Sequence, residues 1–212
     1  MLEVASFVLG PVATNAYLIA DSNLKEAAVI DPAWDGRIIL AEARRRGWKI
    51  GQFWYTHAHF DHLGGAAELA AALEHPPAVA LHSADHDLWE SGGGGAVFGY
   101  RIDHGPRPNL DLAVVRSLRL GTLNFEVRPT PGHTPGSVVY YYAEEGLLFS
   151  GDLIFRRSVG RTDLPGGDSA ALLASIRAQV LSLPEATRIL PGHGPETTVG
   201  EENSSNPFLG AS

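Results

Sequence analysis

Three imidazoles and a carboxylate fall within six positions of the stretch Thr56-His57-Ala58-His59-Phe60-Asp61-His62-Leu63-Gly64-Gly65. It lies between an apolar, aromatic run (50–55) and an alanine-rich helical pattern (66–74). Residues two apart on a strand face the same way, so His57 and His59 are expected to converge on one point. Asp61 and His62, past the strand's end, are expected to address a second point nearby. Ionisable donors this dense beside a buried strand point to metal ligation rather than to a polar surface turn. The chain has no cysteine, so a metal would be held by imidazole and carboxylate, which suits zinc, iron or manganese.

Three further candidates follow predicted strands: His133 in Pro-Gly-His-Thr-Pro-Gly, Asp152 in Ser-Gly-Asp, and His193 in Pro-Gly-His-Gly-Pro. Together the donors divide into two sets. His57, His59 and His133 offer one cation three imidazoles; Asp61, His62 and His193 offer another a carboxylate and two imidazoles. Asp152 remains, placed to bridge the two and reduce their repulsion. Two divalent ions per chain are expected, zinc first. Sets of this kind leave room for water, unlike a closed four-ligand structural site. Such cations acidify water and polarise a carbonyl, which is the chemistry of metal-assisted hydrolysis. Asp61 and Asp152 are the carboxylates expected to serve catalysis. His82 and His86 lack a carboxylate-rich setting, and His75 and His104 read as solvated loop residues; none of the four is expected to bind metal.

The elements that must position these groups are short. Strands are predicted at 3–9, 15–20, 27–30, 50–55 and 78–81, then at 113–117, 123–128, 137–142, 147–150 and 188–190. Helices are predicted at 36–46 with Gly47 as a stop, at 66–74, from a Ser83 cap to about 90, and at 169–183. Residues 91–109 contain a glycine run followed by Phe98 and Tyr100, which suits either a flap over substrate or a surface excursion. The tail to Ser212 is polar, ending in Asn-Pro-Phe-Leu and a few small residues. With no linker or short repeat, the expectation is an α/β chain forming a single domain over 1–212, two packed sheets with helices outside.

Composition narrows the partners. A net charge of −8 disfavours a phosphate backbone, so no nucleic acid is expected. The first twenty residues lack a basic region and a long apolar run, so neither a signal peptide nor a membrane association is expected. The expectation is a cytoplasmic enzyme acting on a small molecule.

The motifs His57-Ala-His-Phe-Asp61-His62, Gly132-His133-Thr-Pro-Gly-Ser, Gly151-Asp152 and Gly192-His193-Gly resemble the metallo-β-lactamase fold superfamily. The resemblance spans residues 15 to 208 and implies a four-layer αβ/βα sandwich with metals at one edge between the sheets. Within the superfamily the chain looks most like the glyoxalase II (hydroxyacylglutathione hydrolase) group, which hydrolyses thioesters such as S-lactoylglutathione. The shared features are an all-His first site, Asp152, Gly160-Arg161, and the ending Thr-x-Gly-Glu-x5-Pro-Phe-Leu from Thr198. The resemblance places Arg161 against the thioester substrate. Longer members add a C-terminal helical domain whose basic residues grip glutathione; here the nineteen residues after His193 contain no Lys or Arg. Gly160-Arg161-Thr162-Asp163 also resembles the iron-dependent persulfide dioxygenases, and acyl-homoserine lactonases share the ligand set. A binding module merely held together by metal is a further, non-catalytic alternative.

Overall fold

The computed structural model describes residues 1–210. The first half builds a six-stranded sheet in the order β1 (Leu2–Leu9), β2 (Thr14–Asp21), β3 (Glu26–Ile30), β4 (Lys49–Trp54), β5 (Ala78–Leu81) and β6 (Leu110–Asp111). The first three strands are antiparallel and the rest run parallel. Parallel neighbours need a crossover, and helices supply it. Helix α1 (Gly36–Arg46) joins β3 to β4; α2 (Phe60–Leu63) and α3 (Ala66–Ala71) join β4 to β5; α4 (His86–Glu90) lies between β5 and β6. Gly47 closes α1 in the left-handed conformation, as its position predicts.

The second half mirrors the first with a sheet of β7 (Ser117–Leu120), β8 (Leu123–Pro129), β9 (Val138–Tyr142), β10 (Leu147–Gly151), a small hairpin of β11 (Ile154–Phe155) and β12 (Ser158–Val159), then β13 (Arg188–Pro191) and β14 (Thr197–Thr198). Its spatial order is β14-β13-β10-β9-β8-β7, with β10 and β13 parallel. Helix α5 (Ser169–Ser175) runs on into a wider π turn over Ile176–Val180, and α6 (Val199–Ser205) follows β14.

Burial explains the layering. All eight residues of β2 are buried, because both faces are covered. Tyr17 and Ile19 point into the core between the sheets, where they meet Phe125, Tyr140 and Phe149 of the second sheet. Ala16, Leu18 and Ala20 point the other way, beneath Ile39 of α1 and Leu69 of α3. On the far side, Leu148 and Ile189 pack beneath Leu172 and Ile176. Helix, sheet, sheet, helix is the expected four-layer sandwich, with Trp54 set edge-on to Phe125 at 5.1 Å across its middle.

Several sequence expectations are corrected. The strand entering the histidine cluster stops at Trp54, so His57 and His59 lie on an extended loop beyond it. Residues 113–116 form a turn, braced by the Ala113 N–H donating to Asp111 and by Arg116 donating to backbone carbonyls; the strand begins at Ser117. His82, not Ser83, accepts the capping bond, from the Ala84 N–H, so the short helix opens as a 3-10 turn. The alanine-rich helix ends at Ala71. The polar tail contains α6, whose Thr198 cap accepts from Glu201 N–H, a pattern overlooked because no apolar stripe marks it. Among the described residues, no helix is long and apolar enough to cross a membrane.

Candidate metal centre

All seven predicted ligand residues gather at one edge of the sandwich, between the sheets. The first-half loop between β4 and α3 carries His57, His59, Asp61 and His62; loops after β8, β10 and β13 bring His133, Asp152 and His193. His59 Nδ1 lies 2.8 Å from His133 Nε2, which lies 3.2 Å from His57 Nε2. Asp61 Oδ2 lies 3.4 Å from His62 Nε2 and 3.1 Å from His193 Nε2. Within each of these two groups the donor atoms fall within 4.8 Å of one another. Asp152 stands between them, with Oδ1 3.4 Å from His62 Nε2 and Oδ2 3.5 Å from His193 and 3.7 Å from His133.

The other face of four of the five rings is fixed, while His59 turns its Nδ1 inward toward His133. His57 Nδ1–H donates to Thr56 Oγ1 at 3.0 Å, and that hydroxyl in turn donates to Asp31 at 2.6 Å. His62 donates from Nδ1 to Asp31 at 2.9 Å, His133 to the Arg161 carbonyl at 2.7 Å, and His193 to the Ala13 carbonyl at 3.3 Å. An acceptor on Nδ1 leaves the Nε2 lone pair aimed inward. In the first group His57 Nε2 and His133 Nε2 therefore face each other at 3.2 Å with no hydrogen between them. His62 Nε2 and Asp152 Oδ1 are wholly buried without a hydrogen-bond partner. Orphaned donors of this kind fit a divalent cation in each group. A third grouping, Asp31 with His57 and His62, is equally tight. Its carboxylate is already engaged by Thr56 and by the outward nitrogen of His62, so Asp31 orients ligands rather than joining them.

Charge follows the same division. Burial, then the neighbouring imidazoles, hold His57 well below the ordinary range, and burial with His133 brings His59 down to about 3. At His62 burial also pushes down, but the charges of Asp61, Asp152 and Asp31 outweigh it and carry the ring well above its usual value. His193 is raised likewise, its burial outweighed by the bond to Asp61 and the charge of Asp152. The Asp61 carboxyl falls to about 2, because His62 and His193 outweigh its burial. Burial thus disfavours positive charge on His57 and His59, while the carboxylates around His62 and His193 favour it there.

Supporting residues went unnoticed in the sequence. Thr14 and Asn15 open β2: the Thr14 hydroxyl donates to Asp61 at 2.9 Å, and the Asn15 amide donates to the Pro191 and Gly194 carbonyls at 2.9 Å each. The turn carrying His193 is thereby tied to the first sheet. A Cβ on Gly192 would run into Asp152 Oδ1 and His62, so only glycine lets that turn close over the site. Asp85, wholly buried, accepts from Ala58 N–H at 3.0 Å, Gly136 N–H at 2.7 Å and the Thr134 hydroxyl at 2.8 Å. It clips the His57–His59 loop to the His133 loop. A polar pair at the head of a fully apolar strand, and aspartates at strand ends, were the available signals.

A cavity of about 420 Å³ opens over the centre, lined by Asp61, Asp152, His193 and a largely apolar far side. Residues 91–100 form that side instead of a loose excursion. Phe60 N–H donates to the Gly93 carbonyl at 3.0 Å, and Phe98 and Tyr100 stack on Phe60. Arg161 lines the mouth, but its side chain is half-exposed and forms a two-pronged pair with Asp163 at 2.7 and 2.8 Å. His104, expected to be solvated, packs against Trp89 with ring centroids 3.9 Å apart.

Residues 9–193 match the family model of the metallo-beta-lactamase superfamily. The chain belongs to that superfamily. Curated relatives include a probable metallo-hydrolase of Bacillus subtilis, 37% identical over 95% of this chain and 94% of its own length. A hydroxyacylglutathione hydrolase of Haemophilus influenzae is 35% identical over 92% of each chain. Among solved structures, the B3 metallo-beta-lactamase BLEG-1 superposes with a TM-score of 0.90 at 40% identity, over 99% of each chain. TTHA1623 in a di-iron-bound form gives 0.87 at 42%, over 97% of this chain and 100% of its own. ETHE1 from Myxococcus xanthus gives 0.77 at 25%, over 99% and 86%. The histidine and aspartate clusters are thus suited to a metal site of that superfamily.

Proposed function

We propose that this chain is a binuclear hydrolase of thioesters or esters, resembling glyoxalase II in its chemistry. The observation that carries the proposal is the pair of three-donor groups joined by Asp152 and open on one side to the cavity. His57, His59 and His133 would hold one cation, and Asp61, His62 and His193 the other, with Asp152 between. When bound, two such cations lower the pKa of water and polarise a carbonyl. The chain's own residues supply placement. Asp31 and the Arg161 and Ala13 carbonyls lock ring orientation, Thr14 holds Asp61, and the cavity admits a small substrate on one side only. The relative named as a hydroxyacylglutathione hydrolase supports the thioester class. A small-molecule substrate and a cytoplasmic setting, with neither nucleic acid nor membrane as partner, belong to the same proposal.

A second reading, an iron-dependent persulfide dioxygenase, draws on the likeness to ETHE1. The relative named as a hydroxyacylglutathione hydrolase, 35% identical against 25% for ETHE1, favours the hydrolase. Protein purified without added metal should hold close to two ions per chain and cleave thioesters; one tightly held iron with oxygen uptake on glutathione persulfide would reverse the order.

A further inference from the structure

The cavity facing the candidate ligands is walled by aromatic rings and is poor in usable positive charge. Phe60 sits between His59 and Asp61, so the wall begins at the metal centre itself. From there it extends through Phe98, stacked at 5.6 Å and 28°, and Tyr100, at 5.1 Å and 16°, with Trp34 behind the wall, edge-on to Tyr100 at 5.8 Å. Val12 and Leu164 extend the apolar lining. Phe98 is 44% exposed and Val12 41%, which leaves large apolar side chains in water beside a functional site. Surface of that kind is stabilised when a ligand covers it.

The electrostatics are as selective as the shape. Arg161 is the cation at the mouth, and Asp163 occupies two of its donors. The whole chain carries a net charge of −8. A thiol carrier bearing two carboxylates would surrender hydration here without gaining matched partners. Resting on the thioester reading above, we infer that the substrate is a thioester with an aromatic or branched acyl group on an uncharged thiol, selected by Phe98 and Tyr100, rather than a glutathione-borne one.

The test crosses two acyl groups with two carriers: lactoyl or phenylacetyl, on glutathione or on neutral N-acetylcysteamine. With the metal-loaded protein, kcat/KM for phenylacetyl-N-acetylcysteamine should exceed that for S-lactoylglutathione by about tenfold or more. Phe98→Ala and Tyr100→Ala should each cut that preference by about tenfold, an amount typical of lost contacts in an apolar pocket. A preference for both glutathione esters, or a ranking untouched by either substitution, overturns the inference while leaving thioester hydrolysis standing. If none of the four is cleaved, the thioester reading falls. Calorimetric titration with the uncleavable phenylacetamide analogue then decides the wall separately: binding weakened in Phe98→Ala supports it, and equal binding refutes it.

Discussion

Replacing Asp85 by alanine removes a single carboxylate that holds two ligand loops together. Three donors lose their acceptor: the amides of Ala58 and Gly136 and the hydroxyl of Thr134. Hydrogen bonds to an ionised group contribute about 1.5–3 kcal/mol each. Burying the carboxylate opposes this; burial pushes the Asp85 pKa up, with the Thr134, Gly136 and Ala58 bonds pulling the other way. The net loss is therefore set at about 3 kcal/mol. For a chain of this size each kcal/mol shifts the midpoint by roughly 2–4 °C, so thermal unfolding should move down by about 6–12 °C. The change should also reach the metal, because Ala58 lies between His57 and His59 while Thr134 follows His133. Cobalt-loaded Asp85→Ala should show an altered visible spectrum and weaker retention of the first cation. Asparagine should not rescue it, since either orientation of the amide sets its NH2 against a backbone N–H. Asp163→Ala, which breaks an exposed pair, serves as the control and should change stability by less than about 0.5 kcal/mol. A midpoint within about 2 °C of the parent, with an unchanged cobalt spectrum, would refute the reasoning.

Other consequences are as direct. His57 and His59 titrate below the unfolded value, so in metal-free protein their contribution is present above about pH 6.5 and is lost as pH falls toward 3. His62 and His193 are raised, so theirs is present below pH 6.5 and is lost as pH rises through their folded values. Loading the second group should therefore release more protons than loading the first, and at about pH 6 the second cation should leave first; calorimetry in buffers of differing ionisation heat reads this, and equal proton release would contradict it. Asp31→Ala should weaken the second cation by roughly 10–100-fold in metal titrations, because His62 loses its orienting acceptor; unchanged stoichiometry and affinity would count against that role. Gly93→Ala should detach residues 91–100, since its Cβ would collide with the Phe60 backbone at a left-handed φ of +65; faster amide exchange across this segment is expected, and an unaltered exchange pattern would sink the claim.

The seven clustered histidine and aspartate residues were legible because their types and motifs stand out, in loops and a short helix that follow strands. Buried strands such as β2 and β10 were legible as apolar runs. Asp31, Asp85 and Asn15 were not, because a lone polar residue at a turn has the same local appearance whether its partner is water or a loop brought in from far along the chain. The strand misplaced at 113–117 has the same cause: Ala113, Val114 and Val115 are apolar, yet their backbone is committed to a turn. Arg161 shows the limit at the substrate side. Sequence could name it, but only the structure shows Asp163 occupying its guanidinium while its own carbonyl steadies His133.

The donors are shared between the halves of the chain, and this bears on how the molecule comes together. The first sheet contributes two imidazoles to one group and Asp61 with His62 to the other; the second sheet contributes His133, Asp152 and His193. Neither half alone offers a full set. A break in the turn at 113–116 would leave two fragments that share the apolar core between the sheets yet each hold only part of either donor set, so under the proposed function their reassembly should tighten with metal concentration. During synthesis the same arrangement withholds the seventh side chain until β13 is in place, with only β14 and α6 still to follow, so under the proposed function a cation would meet a nearly finished fold.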